Sequence, residues 1–221
     1  GKEDVYDLTE PIEGHFVANG IVVHNCSEYF FLNNTCCNLL SMRISKFYNS
    51  SRQKFDTKKM EHVCRLSTLA LEASVEASLV ATKDLALGNY NYRPVGLGYA
   101  DIGSLLMSMG IPYDSDEALG WIGCLTSMMT GAAYLTSAEM AEEKGPFPRY
   151  EHNKDSMLCV IRNHRRACYD VDETEFEKLN VKPMAIDADK APKYILDTCK
   201  KIWDAVLENG QKYGFRNAQV T

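Results

Sequence analysis

With 221 residues, 45% apolar and 24% charged, the chain has the make-up of a globular protein and the length for one large domain or two small ones. A net charge of -6, with no dominating run of Lys and Arg, argues against a nucleic-acid partner. No stretch approaches the roughly 18 apolar residues of a membrane span, and the start does not read as a signal peptide, so no membrane partner and a cytoplasmic location are expected.

Residues 1–25 have strand grammar: "DVYDL" is β-rich, and "HFVANGIVVHN" alternates around Asn19-Gly20, a dipeptide suited to a tight hairpin turn. From Cys26 the chain continues as an extended segment, "CSEYFFLNNTCCNLLSMRI", with Asn33-Asn34 as a turn signal. Asp56 can cap a helix over 57–87, with Gly88 to end it. "YNYRPVGLGYADIGSLLMSMG" predicts a short strand, a Gly-rich turn and a helix closed by Gly110.

Ser115 can cap a helix over 116–144, stopped by Gly145-Pro146. Its stripe of Leu119, Ile122, Leu125, Met129, Ala132 and Leu135 has helical spacing and reads as core. A polar stretch follows, with short helices around "MLCVIRNHRRACY" and "DETEFEKLN". The last helix spans about 192–213 and ends at Gly214, after which "FRNAQVT" reads as a buried strand left unfinished. That ending, and a start at Gly1 without Met, lead us to expect a fragment. Long helices alternating with single short strands predict an α/β layout with parallel strands.

The eight cysteines, at 26, 36, 37, 64, 124, 159, 168 and 199, include no Cys-x-x-Cys, so a tetrahedral zinc site has little support and no metal is expected. Cys64, Cys124 and Cys199 fall inside helical patterns and read as buried apolar residues. Cys26, Cys36 and Cys37 lie in the extended, polar stretch. "GLGYADIG" lacks the third glycine of a dinucleotide fingerprint and the acid expected further on, so it reads as turn and packing. His164-Arg165-Arg166, the densest basic cluster, reads as a solvated helix face.

Two resemblances give these segments chemical meaning. "VYDLTEPIEGHFVANGIVVHNC" resembles the C-terminal end of an intein, a self-splicing insert, which would make 1–25 an intein segment and 26–221 a second part. The resemblance implies that Asn25 attacks its own carbonyl to break the Asn25–Cys26 bond. His24 would polarise that carbonyl or protonate the leaving amine, and Cys26 would accept an upstream segment as a thioester. Asp7 matches the family's motif aspartate. Inteins usually place a histidine where this chain has Gly14, and His15 next door is the candidate for that role. The splicing nucleophile of an intein's own N-terminus is missing, so cleavage after Asn25 is the most this chain could perform.

The second part, starting at the same cysteine, resembles ribonucleotide reductase large subunits. It is closest to the adenosylcobalamin-dependent class, whose motif reads Asn-Pro-Cys-Ser-Glu-Tyr and then Thr-Ala-Cys-Asn-Leu. "RPVGLGYADIGSLLMSMGIPYDSDEA", "AYLTSAEMAEEKGPFP" and "YGFRNAQVT" follow in that family's order. The resemblance implies a fragment of the family's α/β barrel, helix-rich and preceded by the intein hairpin, with Cys26 on a loop reaching toward the barrel centre. Cys26 matches the thiyl-radical cysteine, Glu28 the base for the 3′-hydroxyl, and Cys37 one of two redox cysteines that end as a disulfide. Residues i and i+2 of an extended strand share a face, so Cys26 and Glu28 can address one sugar. Cys36 stands at the family's Ala position, and both thiols are candidates if the register slips by one.

Adenosylcobalamin is the implied cofactor, with a diiron-tyrosyl radical subunit as the alternative. The implied partners are a ribonucleotide substrate, deoxynucleotide effectors, a thioredoxin-like reductant, and the parts of the enzyme upstream and downstream. The asparagine before the radical cysteine, the partner of Cys37 and the phosphate-binding segment would lie on those parts, and the piece alone should be inactive. Two other readings stand beside this one: an autoprocessing intein remnant with an inert flank, and a helical interaction domain without catalysis.

Overall fold

A computed structural model describes residues 15–18, 21–24, 32–179 and 183–220, the first two ranges by backbone only. The chain divides into two compact units, Gly1–Leu32 and Asn33–Thr221. In the first, strands β1 (His15–Ala18) and β2 (Ile21–His24) form an antiparallel hairpin whose register pairs His15 with His24 and Ala18 with Ile21. The antiparallel pairing agrees with the predicted hairpin, while the turn expected at Asn19-Gly20 lies outside the described residues.

The second unit opens with strand β3 (Asn38–Arg43), a 3-10 turn (Ile44–Phe47) and a small antiparallel pair, β4 (Tyr48–Asn49) with β5 (Lys54–Phe55). Helix α1 (Thr57–Ala77) starts where expected, with the Asp56 carboxylate accepting the Lys59 N–H as N-cap. It does not run to Leu87. Ser74 and Ser78 donate their hydroxyls back to the carbonyls of Leu71 and Ser74, a competition with the backbone that weakens a helix. Thr82 then caps a separate helix, α2 (Lys83–Tyr92). Gly88 therefore sits inside α2 and ends nothing. Arg93, in the left-handed region at φ 49°, caps α2.

Strand β6 (Val95–Ala100) pairs parallel with β3, in register from Asn38↔Val95 to Arg43↔Ala100. The glycines expected in a turn are thus mid-strand. The connection through α1 and α2 is the crossover that a parallel pair requires. Helix α3 (Ile102–Met109) closes at Gly110 in the left-handed region, as predicted.

Helix α4 (Asp116–Lys144), capped by Ser115, keeps its predicted bounds and forms the spine of the core, with Leu125, Met129, Ala132 and Leu135 of the predicted stripe buried, Ile122 half-buried and Leu119 turned to the exposed side. By length and composition it could cross a membrane, which corrects the expectation that no segment approaches that limit. Its most apolar window is 67% buried against the rest of the chain, so it serves here as a core helix.

Helix α5 (Tyr150–Tyr169) begins seven residues before the predicted short helix, because its first two turns are polar and show no apolar stripe. The second predicted short helix shrinks to a 3-10 turn at Glu173–Glu175. Helix α6 (Lys193–Tyr213) ends at Gly214 and packs on α4 and α5. In the C-terminal segment Phe215, Asn217 and Val220 are buried, but only a parallel bridge, Val95↔Val220, extends the sheet. The basic cluster is used within the protein: Arg165 pairs with Asp204, Arg166 pairs with Glu177, and His164 stacks on Trp203 at 5.2 Å.

Candidate active site

Successive residues of a strand face opposite ways, and here the two faces of the β3–β6 pair differ sharply. Met42 is buried with its sulfur 4.0 Å from the Cys64 thiol, and Leu40 packs on the core beside it. The opposite face presents Leu39, Ser41 and Arg43, with Leu39 63% exposed. Facing them across the ladder are Gly96, Gly98 and Ala100. On that second face Leu39, Ser41, Arg43 and Ala100 are exposed, Gly98 is half-buried, and Gly96 is buried with the Leu39 side chain lying over it.

Cys37 lies just before β3, in step with Leu39, and is half-buried. A Cβ placed on Gly96 would stand 3.7 Å from the Cys37 sulfur and 2.3 Å from Leu39 Cδ2. The sulfur therefore rests beside the glycine backbone of β6, next to Leu39, at the start of this face. Glycine within a strand marks a place where a ligand or another backbone can come close.

Both neighbours of Cys37 are tied to helices. The Cys36 N–H donates to Asn89 Oδ1 at 2.9 Å, and Asn89 Nδ2 donates to the Cys36 sulfur at 3.0 Å. On the other side Asn38 Nδ2 donates to the hydroxyls of Ser74 (2.7 Å) and Ser78 (3.2 Å). Cys36 is exposed. Of the adjacent thiols, Cys37 stands beside the open face and Cys36 is gripped from α2.

At the far end of the same face, Asp101 takes φ 63° and accepts from the Ser45 hydroxyl (2.6 Å), the Ser45 N–H (3.0 Å) and Arg43 Nε (3.1 Å). Burial alone would raise its pKa. The Ser45 and Arg43 bonds outweigh that and leave the carboxyl below its ordinary value. Beneath the sheet, Glu72 of α1 is a buried hub. Its Oε1 accepts from Arg93 Nε (2.7 Å) and Arg216 Nε (2.8 Å), and its Oε2 from Asn217 Nδ2 (2.7 Å). Asn217 also bonds the Arg93 carbonyl and the Ser137 hydroxyl, which fixes the C-terminal segment beside β6. Among the described residues no buried side-chain N or O lacks a hydrogen bond, and no group of three His, Cys, Asp or Glu is placed to hold a metal ion.

A family model described as "Ribonucleotide reductase, barrel domain" matches residues 17–221. The chain belongs to this family. It is 47% identical over 214 residues to a protein of Agrobacterium fabrum named "Vitamin B12-dependent ribonucleotide reductase", covering 96% of this chain and 16% of that one. A protein of the same name from Bradyrhizobium diazoefficiens is 48% identical over 197 residues, 89% of this chain and 16% of that protein. A "Ribonucleoside-diphosphate reductase large subunit" of Plasmodium falciparum is 29% identical over 115 residues, 52% of this chain and 14% of that protein. The chain thus spans about a sixth of the first two relatives. The reductase match begins inside the segment that resembles an intein end.

The reductase barrel piece brings together only part of the set predicted from sequence. Cys37 is in place beside the open face. Asp7, Asn25, Cys26 and Glu28 lie outside the described residues, as does the expected position of Cys26 on a central loop. His15 and His24 are paired by register at the open end of the β1–β2 hairpin. Sequence reasoning missed Asn89, Asp101 and Glu72. Glu72 had a readable signal, since it falls in phase with the buried Cys64, Thr68, Leu71 and Val75 of α1, and an acid on an apolar stripe calls for a buried cation.

Proposed function

We propose that the chain is the central, thiol-bearing part of the catalytic subunit of an adenosylcobalamin-dependent ribonucleotide reductase, which turns ribonucleotides into deoxyribonucleotides in the cytoplasm. The observation that carries this reading is the place of Cys37, half-buried beside the glycine backbone of β6 at the start of the partly exposed face of a parallel strand pair.

In this reading the Cys26 thiyl radical takes the 3′-hydrogen of the ribose and Glu28 accepts the proton of the 3′-hydroxyl, a placed base being worth on the order of 10²–10⁴ in rate. The 2′-hydroxyl leaves as water, and once the sugar is reduced Cys26 returns the 3′-hydrogen, which regenerates the thiyl radical. Two electrons and two protons come from Cys37 and a second thiol on another part of the enzyme, and the pair ends as a disulfide. Adenosylcobalamin supplies the radical when bound, consistent with the B12-dependent names of the relatives. Deoxynucleotide effectors and a thioredoxin-like reductant belong to the complete enzyme.

The test uses the complete, spliced reductase. Cys37→Ser should abolish dithiol-dependent deoxynucleotide formation, and Cys36→Ser should retain it. The reverse pattern would reassign the redox role to Cys36. Normal turnover by Cys26→Ser would refute the radical assignment and favour a helical module without catalysis.

A second reading concerns residues 1–25. The β1–β2 hairpin sets His15 opposite His24 and ends immediately before Asn25, which suits a cleavage site at the Asn25–Cys26 bond. In this reading the Asn25 side-chain amide attacks its own carbonyl to form a succinimide, and Cys26 leaves with a new amino terminus. Incubating the chain with a thiol and weighing it should show loss of residues 1–25, and Asn25→Ala should prevent that loss. An unchanged mass would mark the segment as an inert remnant.

A further inference from the structure

We propose that Asn89 is a positioning residue for Cys37, and that the break between α1 and α2 exists to set that thiol. This rests on the reading of Cys37 as a redox thiol. Asn89 is 7% exposed, yet it spends both halves of its amide on one residue: Oδ1 on the Cys36 N–H and Nδ2 on the Cys36 sulfur. Such a two-point grip, on backbone and side chain at once, fixes Cys36, the residue before Cys37, in both position and rotation.

Gly88, the residue before it, supplies independent evidence that α2 is seated on this loop. A Cβ there would fall 1.9 Å from the Asn34 carbonyl oxygen and 3.2 Å from Thr35 Cγ2. The side chain is absent where the helix meets the loop backbone. On the far side of Cys37, Asn38 is held by Ser74 and Ser78, the hydroxyls at the end of α1. The same short break therefore releases α2 toward Cys36 and leaves two hydroxyls for Asn38, so Cys37 is clamped on both sides. Arg93, which caps α2, also leads into β6 and thereby sets Gly96 beside the sulfur.

The function of this clamp is geometric. A thiol that exchanges with a second thiol on another segment must wait at a fixed place on the open face, because displacement of a reacting group by about 1 Å can cost on the order of 10²-fold in rate. Asn89 touches neither sugar nor the Cys37 sulfur in this scheme and acts through Cys36.

The test has two arms. In the 221-residue chain, Asn89→Ala should raise the rate of Cys37 alkylation by iodoacetamide several-fold, read by peptide mass mapping, while the fully buried Cys64 and Cys124 stay unlabelled. In the complete reductase, Asn89→Ala should lower kcat by about tenfold with KM unchanged. Asn89→Asp, which still accepts from the Cys36 N–H, should recover part of that loss. Parental alkylation and parental kcat in Asn89→Ala would overturn the proposal. So would labelling of Cys64 and Cys124 together with Cys37, which would mean general loosening. The alkylation arm does not depend on turnover, so a failed redox assignment, exposed by an active Cys37→Ser enzyme, is distinguishable from a failed clamp.

Discussion

Glu72 and Glu76 offer a controlled comparison, because both accept from Arg93, at 2.7 Å each. They differ in surroundings: the Glu72 side chain is 8% exposed and that of Glu76 is 70% exposed. Glu72→Ala removes three bonds at once, from Arg93, Arg216 and Asn217, and leaves a guanidinium that is 3% exposed leaning on a solvent-facing carboxylate. Breaking one side of a buried ion pair costs about 3–5 kcal/mol. At roughly 2–4 °C per kcal/mol for a chain of this size, the melting temperature should fall by about 6–20 °C. Glu76→Ala removes an exposed partner and should cost no more than about 1 kcal/mol. Glu72→Gln keeps the volume and the acceptor for Asn217 and should fall between the two. Urea unfolding followed by far-UV circular dichroism measures all three. Equal losses for Glu72→Ala and Glu76→Ala would refute the view that burial sets the worth of this network, as would a Glu72→Ala cost below about 1 kcal/mol.

Three further outcomes follow from particular contacts. Hydrogen bonds from Arg162 and then Arg166 hold the Glu177 carboxyl at about 2, against an ordinary value of 4.5. Because the folded value is the lower one, the contribution is present above the ordinary value and is lost as pH falls from there through about 2. Urea unfolding between those limits should show a flatter acid limb in Glu177→Gln, and an unchanged limb would remove the pair from the account. Gly88→Ala drives a methyl against the Asn34 carbonyl and should cost about 1–3 kcal/mol, with faster alkylation of Cys36 as the loop shifts. A variant as stable as the parent would mean that α2 is not seated there. Cys64 is fully buried and pushed up to about 12 by that burial, so at a pH near 9 it should resist iodoacetamide while the exposed Cys36 reacts. Labelling of Cys64 ahead of Cys36 would contradict its place beside Met42.

Local signals made much of the fold legible. The caps at Asp56 and Ser115 and the stops at Gly110, Gly145 and Gly214 each depend on a residue within one turn of the helix end, and each was readable. What was not readable depends on distant partners. The α1–α2 break uses serines and a threonine that a helix ordinarily tolerates. Its purpose is visible only once Asn38, 36 residues from Ser74, and Cys36, 53 residues from Asn89, are alongside. Gly96 and Gly98 looked like a turn because glycine is a poor strand former, yet strand pairing with β3 overrides that preference. The first half of α5 was hidden because Glu151, His152, Asn153 and Lys154 leave no apolar stripe. Of the site, Cys37 was legible through its resemblance to a known motif. The residues that hold it carry no motif at all.

The partly exposed face of β3 and β6 joins these strands to the proposed chemistry. Parallel strands are ordinarily covered on both faces, because their crossovers place helices or further sheet on each side. Here the core, α1 included, covers the Leu40–Met42 side, while the other side shows Leu39 mostly exposed, opposite Gly96. An apolar face of this kind is a cost in water unless something covers it. Large side chains on β6 would have reduced the exposure of Leu39 and stiffened the strand, and glycines do neither. They keep the strand beside Cys37 free of side-chain bulk at the expense of local stability. That exchange is reasonable where a substrate must reach the sulfur, and hard to account for in a sheet face that serves only as core.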